Sequence, residues 1–306
     1  MRGARDIRES TPVRRLLVCL SAMLCLGASA ACAGGRLLTD QIPSPSLGRP
    51  IPYSVYLPES EPEARRLPVL YLLHGRGDDE TTWNVKGDIA ATLDRKIARG
   101  ELRPMIVVMP AVRNSWYIDD PRPDGFGPYA TAFMQDFMPG IEARYPIARC
   151  RQGRGIGGVS MGGYGAVLYA LSDPDRFAAA FSLSGSLFGE DAQEIAARRA
   201  AYERIFEGAF GAPFDVQRFL DWNVFMRLER NAATVRKLSF WLMAGEDDFV
   251  SIRNGTIRLH GELQRRGIPS ELRIVKGGHT WDIWQTEVSP ALSWLSARLD
   301  PACHAD

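Results

Sequence analysis

Residues 158–162 read Gly158-Val159-Ser160-Met161-Gly162, a serine with a glycine two positions away on each side. A strand-like run, Gly155–Val159, leads into it, and the small-residue stretch Gly163-Tyr164-Gly165-Ala166, which reads as the start of a helix, follows. A serine on a tight turn between strand and helix is held in a strained backbone with its hydroxyl exposed, the setting of a nucleophile elbow. Glycines must flank it, because strand and helix pass too closely there for β-carbons. In a chain with 29 glycines the five-residue pattern alone is weak, and its context lends the weight. The same stretch also reads GxGxxG at Gly153, Gly155 and Gly158, but these glycines fall before and within the strand. A dinucleotide loop needs them between strand and helix.

A serine nucleophile requires a base that works near neutral pH, and the chain holds four histidines. Where such an elbow is used, the chain order is serine, acid, histidine, which sets aside His74 as a residue that holds its own loop. His260 falls inside a helical pattern, and His304 is two residues from the end. His279 remains, in Gly277-Gly278-His279-Thr280-Trp281, between the last predicted strand and the last helix. The acid is expected at the end of the preceding strand, where Glu246, Asp247 and Asp248 follow Phe240–Gly245. Asp248 is favoured and Asp247 is the alternative, since sequence does not set the direction of the turn. The oxyanion formed at the carbonyl calls for two N–H donors: Met161, directly after the serine, and Arg76, in the early loop His74-Gly75-Arg76-Gly77. This chemistry needs no metal or organic cofactor, and none of the cysteines has zinc-ligand spacing.

These residues must be delivered by a regular frame. Strand-like runs at 53–57, 69–73, 105–109, 155–159, 178–183, 238–243 and 272–275 alternate with helix-like segments near 86–98, 128–144, 163–171, 250–266 and 281–299. Several of the runs are continuously apolar, as strands covered on both faces are. The alternation predicts one α/β domain over 43–298 with a mostly parallel, doubly wound sheet. Residues 187–236 break the rhythm and are expected to be an insertion over the carboxyl edge of the sheet. Residues 31–42 are expected to be a linker and 299–306 a tail.

Lys and Arg number 37 and Asp and Glu 36, giving a net charge of +1, which offers no electrostatic hold on nucleic acid. That charge is unevenly placed. Arg2, Arg5, Arg8, Arg14 and Arg15 precede an apolar run, Leu16–Leu26, that ends in Gly27-Ala28-Ser29-Ala30. This is the pattern of a secretory signal peptide over 1–30 with cleavage near Ala30, and it predicts export to the periplasm or beyond. The run is too short to span a bilayer comfortably. Cys32 lies just past the site and is a candidate for lipid attachment, although Ser29 is not the aliphatic residue such a site prefers. Cys150 and Cys303 either pair in an oxidising compartment or remain thiols.

Taken together, the chain resembles the esterase family of α/β-hydrolases, which includes feruloyl and acetyl xylan esterases, siderophore (enterochelin) esterases, S-formylglutathione hydrolases and secreted mycolyltransferases. The resemblance is carried by Ser46–Pro58, Leu70–Gly75, Asn114–Tyr117, Gly157–Ala166, Leu183–Ser186, Gly245–Asp248 and Gly277–Trp281. The family's acid, three residues after a glycine, falls on Asp248. The resemblance implies ester cleavage through a Ser160–His279–Asp248 triad and an acyl-enzyme, on a small-molecule or polysaccharide-linked ester. Feruloyl, acetyl and siderophore esters are the expected substrates, with acyl transfer of the mycolyl type, or a noncatalytic binding role, as alternatives. Trp83, Trp116, Tyr117 and Trp281, with Tyr164 and Trp284 beside the same motifs, either wall an acyl pocket or pack between helices and sheet. Oligomeric state is left open.

Overall fold

Strand residues along the centre of the chain are apolar at successive positions because helices cover both faces of the sheet they build. Alternate residues separate cleanly: Val69, Tyr71 and Leu73 belong to one core, and Leu70 and Leu72 to the other. The computed structural model describes residues 34–59, 66–189 and 192–303. The expected signal peptide, Cys32 and His304 lie outside the described residues.

Eight strands form one sheet: β1 (Arg36–Ile42), β2 (Ile51–Leu57), β3 (Val69–Leu73), β4 (Ile106–Pro110), β5 (Arg154–Val159), β6 (Ala179–Leu183), β7 (Ser239–Gly245) and β8 (Ser270–Val275). Their spatial order is β1-β2-β4-β3-β5-β6-β7-β8. The β1–β2 and β2–β4 pairs are antiparallel and the rest parallel. The helices are α1 (Thr82–Val85), α2 (Ile89–Ala98), α3 (Tyr129–Ala132), α4 (Met138–Arg144), α5 (Met161–Ser172), α6 (Ala192–Ala197), α7 (Arg199–Phe206), α8 (Val216–Asp221), α9 (Val224–Arg230), α10 (Val250–Arg265) and α11 (Trp281–Ser296). One π-helical turn, Phe133–Phe137, joins α3 to α4. Side chains of α3, α4, α5 and α10 share the core of one face, while α2 and α11 close the other with Leu93, Val288, Leu292 and Leu295. This is the doubly wound, mostly parallel α/β-hydrolase arrangement expected from sequence.

Two boundaries differ from expectation. Residues 36–42, read as linker, form edge strand β1, paired along its length with β2. Six of its seven residues are exposed, so it carries no alternating apolar face by which a half-buried strand would be recognised. The tail is anchored as far as it is described: Leu299 is buried, Asp300 N–H donates to Gln152 C=O (2.8 Å), and Cys303 is disulfide-bonded to Cys150. Between β6 and β7, helices α6–α9 fold on an aromatic nucleus of Tyr202, Phe206, Phe210, Phe214 and Phe219, all buried. Among the described residues no helix is long and apolar enough to cross a membrane.

Candidate active site

Strand β5 ends at Val159 and α5 begins at Met161, which leaves Ser160 alone at the turn with φ 53° and ψ −115°. A non-glycine residue with positive φ is strained, and here the surrounding packing enforces it. A β-carbon on Gly162 would stand 2.4 Å from Leu73 C=O and 2.6 Å from His74 C=O; one on Gly158 would stand 2.5 Å from the backbone of Gly162. No side chain fits either place, so the glycines permit the crossing that lifts Ser160 above the sheet. Ser160 N–H donates to Leu183 C=O (2.9 Å), tying the turn to the end of β6.

His279 and Asp248 arrive at this turn from the next strands. Asp248 follows β7 and His279 follows β8, and the two loops are joined where Asp247 N–H donates to Gly277 C=O (3.0 Å). His279 Nε2 lies 2.9 Å from Ser160 Oγ, and His279 Nδ1 lies 2.9 Å from Asp248 Oδ1. Of the three acidic neighbours, Glu246 and Asp247 are exposed and only Asp248 is buried, at 4% exposure, against the imidazole. Burial alone would raise the Asp248 pKa. The hydrogen bond from His279, helped by the neighbouring Ser184 hydroxyl, the imidazole charge and Phe249 N–H, outweighs it and holds the carboxyl below the usual carboxylate range. Oδ1 accepts from Phe249 N–H (2.8 Å), whereas Oδ2 makes no well-aligned hydrogen bond among the described residues. Trp284, edge-on to His279 at 4.8 Å, donates its indole N–H to Ser184 Oγ (3.0 Å).

On the other side of Ser160 runs the loop after β3. It turns back through a hydrogen bond from Asp78 N–H to Gly75 C=O (3.2 Å), with Gly77 at φ 80°. Beneath it His74 is fully buried, its Nε2 accepting from Val112 N–H (3.1 Å) and its Nδ1 donating to Gly75 C=O (2.8 Å). Because Val112 N–H can only donate, the ring proton sits on Nδ1. Burial pushes the pKa of His74 below 6.5, against the opposing pull of Gly75 C=O, Asp78 and Asp79. Its own carbonyl accepts from Tyr117 Oη–H (2.9 Å). The N–H groups of Arg76 and Met161, expected as oxyanion donors, find no acceptor among the described residues; Met161 opens α5, where first-turn N–H groups have no partner within the helix. A half-buried hydroxyl hydrogen-bonded to an imidazole, an imidazole hydrogen-bonded to a buried carboxylate, and unpaired N–H groups nearby are equipped for acyl transfer.

Residues 44–295 match the family described as "Putative esterase". The chain belongs to this esterase family. An acetyl esterase of Caldicellulosiruptor saccharolyticus is 26% identical over 250 residues, which span 78% of this chain and 86% of that protein. An esterase of Mycobacterium tuberculosis is 30% identical over 273 residues, 81% of this chain, which spans 56% of that longer relative. A solved ferulic acid esterase superimposes with a TM-score of 0.75 at 27% identity, covering 87% of this chain and 99% of its own. The protein is a carboxylic-ester hydrolase.

The esterase has a cavity of about 480 Å³ that opens on Ser160 and His279. Of the aromatic residues expected around it, Trp116, Trp281 and Trp284 line the cavity. Trp83, Tyr117 and Tyr164 do not. Trp83 is fully buried, donates to Leu73 C=O (3.0 Å) and props the ring of Trp281 edge-on at 5.2 Å. Tyr117 is spent on His74, and Tyr164 donates to Trp222 C=O (2.7 Å). Each has a polar tip that must find a partner when buried, and each found a backbone carbonyl away from the cavity. The rest of the apolar wall was not expected from sequence: Phe188 and Ile205 come from the insertion, and Phe249 and Ile252 from the start of α10. Phe249 is the one signal that was available, an aromatic directly after the acid; it is 64% exposed and sits 5.2 Å from the His279 ring.

Proposed function

We propose that this esterase cleaves feruloyl- or acetyl-type esters through a Ser160–His279–Asp248 triad and an acyl-enzyme, outside the cytoplasm. The observation that carries the reading is the unbroken pair of 2.9 Å contacts from Ser160 Oγ to His279 Nε2 and from His279 Nδ1 to Asp248 Oδ1. Ser160 Oγ attacks the ester carbonyl while His279 Nε2 takes its proton, and ionised Asp248 stabilises the imidazolium. The tetrahedral oxyanion lies against the N–H groups of Met161 and Arg76. As it collapses, the C–O bond breaks and the leaving alcohol takes the proton from His279. Water then repeats the sequence on the acyl-enzyme, releasing the acid and restoring Ser160.

The cavity supports a compact acyl group with an apolar body. Trp116, Phe188, Ile205 and Ile252 give it an apolar wall, and its size of about 480 Å³ accommodates an acetyl or hydroxycinnamoyl group. The acetyl esterase and ferulic acid esterase relatives favour the same classes. Export is supported by the arginine-led apolar leader and by the Cys150–Cys303 disulfide, a bond that persists in oxidising compartments. The test is hydrolysis of p-nitrophenyl acetate and methyl ferulate by the wild-type chain and by Ser160→Ala, with cell fractionation for location. A loss of about 10⁴-fold or more in kcat is expected for Ser160→Ala; equal rates would end the reading.

A further inference from the structure

In the loop that carries Arg76, Gly75 C=O is held by Asp78 N–H and His74 Nδ1, but the peptide between Arg76 and Gly77 has no hydrogen-bond partner within the loop. Its turn runs Gly75-Arg76-Gly77-Asp78, with Gly77 at φ 80° in the third position, the geometry of a type II turn. Glycines flank Arg76 on both sides, so rotating the peptide between Arg76 and Gly77 meets little steric resistance. That rotation turns the Gly77 N–H and the Arg76 C=O directly, and lets the turn that presents the Arg76 N–H shift relative to Ser160. Three side-chain contacts from outside the loop oppose it. Gly77 N–H donates to Asn114 Oδ1 (2.8 Å), Asn114 Nδ2 donates to Glu207 Oε2 (2.9 Å), and Arg76 Nη1 donates to Glu207 Oε1 (2.8 Å).

Both oxygens of one carboxylate therefore hold the turn, one through the Arg76 side chain and one through Asn114. Glu207 belongs to neither loop. It caps the C-terminus of α7 in the insertion, at φ 50°, a left-handed position that disfavours any residue but glycine or asparagine. The same last turn of α7 places Ile205 in the cavity wall and Phe206 against Trp116 (4.6 Å). The Arg76–Glu207 pair is 47% and 40% exposed, so it adds little to global stability. What it fixes is direction.

We infer that Glu207 is a positioning residue for ester cleavage, hanging the oxyanion loop from the insertion and coupling the fit of the acyl group at Ile205 to the aim of the Arg76 N–H. The inference rests on the proposed roles of Ser160 and Arg76. In the full chain, Glu207→Ala is expected to lower kcat for p-nitrophenyl acetate by about ten- to a hundred-fold, less than loss of a whole oxyanion donor, with KM within about two-fold. Glu207→Gln, which keeps one acceptor, should fall between. Arg76→Ala and Asn114→Ala each break one arm without touching the backbone donor, and each should be strongly non-additive with Glu207→Ala in a double-mutant cycle. A trifluoromethyl ketone that adds to Ser160 should weaken in parallel with kcat, whereas a role confined to folding would lower the titratable fraction of active enzyme instead. An unchanged kcat per titrated site in Glu207→Ala, or additive arms, overturns the inference. Retained activity in Ser160→Ala would instead overturn the reading beneath it.

Discussion

The carboxyl edge of the sheet and the insertion above it meet at one cavity but are built on opposite principles. At the edge, Gly158 and Gly162 stand where a β-carbon would meet backbone at 2.5 Å and 2.4 Å, and Ser160 is locked at positive φ. Backbone against backbone has no alternative packing. The insertion is held by rings: Phe206 lies 4.6 Å from Phe210 and 5.4 Å from Phe219, and Tyr202 stacks on Phe219 at 5.6 Å. Aromatic nuclei tolerate substitution and shift more readily than a glycine crossing does. The proposed chemistry therefore sits where backbone packing leaves least freedom, and the proposed acyl wall sits on side chains that can repack.

The sharpest way to break this contrast is at the edge. Asp248→Asn should lower kcat by about 10⁴-fold, because the imidazole loses its orienting charge, while exposed Asp247→Asn should leave it within about two-fold. Steady-state rates on p-nitrophenyl acetate decide it, and a reversed result would move the acid to Asp247. In the insertion the largest effect is on stability. Phe219→Ala should cost about 3–5 kcal/mol in denaturant unfolding, while the protein that remains folded keeps its kcat per titrated serine. A kcat that fell with it would mean that the aromatic nucleus, and not the Glu207 contacts alone, sets the position of the Arg76 loop. Smaller again is Ile205→Ala, expected to reduce kcat/KM for methyl ferulate about ten-fold and to spare p-nitrophenyl acetate, since only the larger acyl group reaches the insertion wall.

The smallest effect is a pH dependence of stability. The pKa of His74 in the folded chain lies below 6.5. As pH drops through 6.5 the unfolded chain takes a proton that the native ring refuses, so stability falls until pH passes the lower folded value and then levels. His74→Gln should flatten that limb in Tm measured from pH 7.5 downward. An unchanged limb would assign it to other groups.

How much of this was legible depended on whether the constraint was local. Ser160 and its glycines carry their reason within five residues, and His279 followed from chain order once the other histidines were placed. Asp248 was favoured over Asp247 from the sequence, but only the turn after β7 separates them, burying Asp248 and turning Glu246 and Asp247 outward. Strand β1 escaped because an edge strand exposed at six of seven positions leaves no hydrophobic pattern. Among the aromatic residues, type alone did not separate Trp116 and Trp281, which line the cavity, from Trp83 and Tyr117, whose polar tips are engaged by Leu73 and His74.

By itself the sequence determined the alternation of apolar strands and helices, the strained serine turn, and the family of chemistry, because each rests on steric rules acting between near neighbours. Only the tertiary structure decided which acid faces the imidazole, which rings face the substrate, and that Glu207 reaches across 131 residues to hold Arg76. Those choices depend on where separate loops converge, and convergence is set by the sheet as a whole.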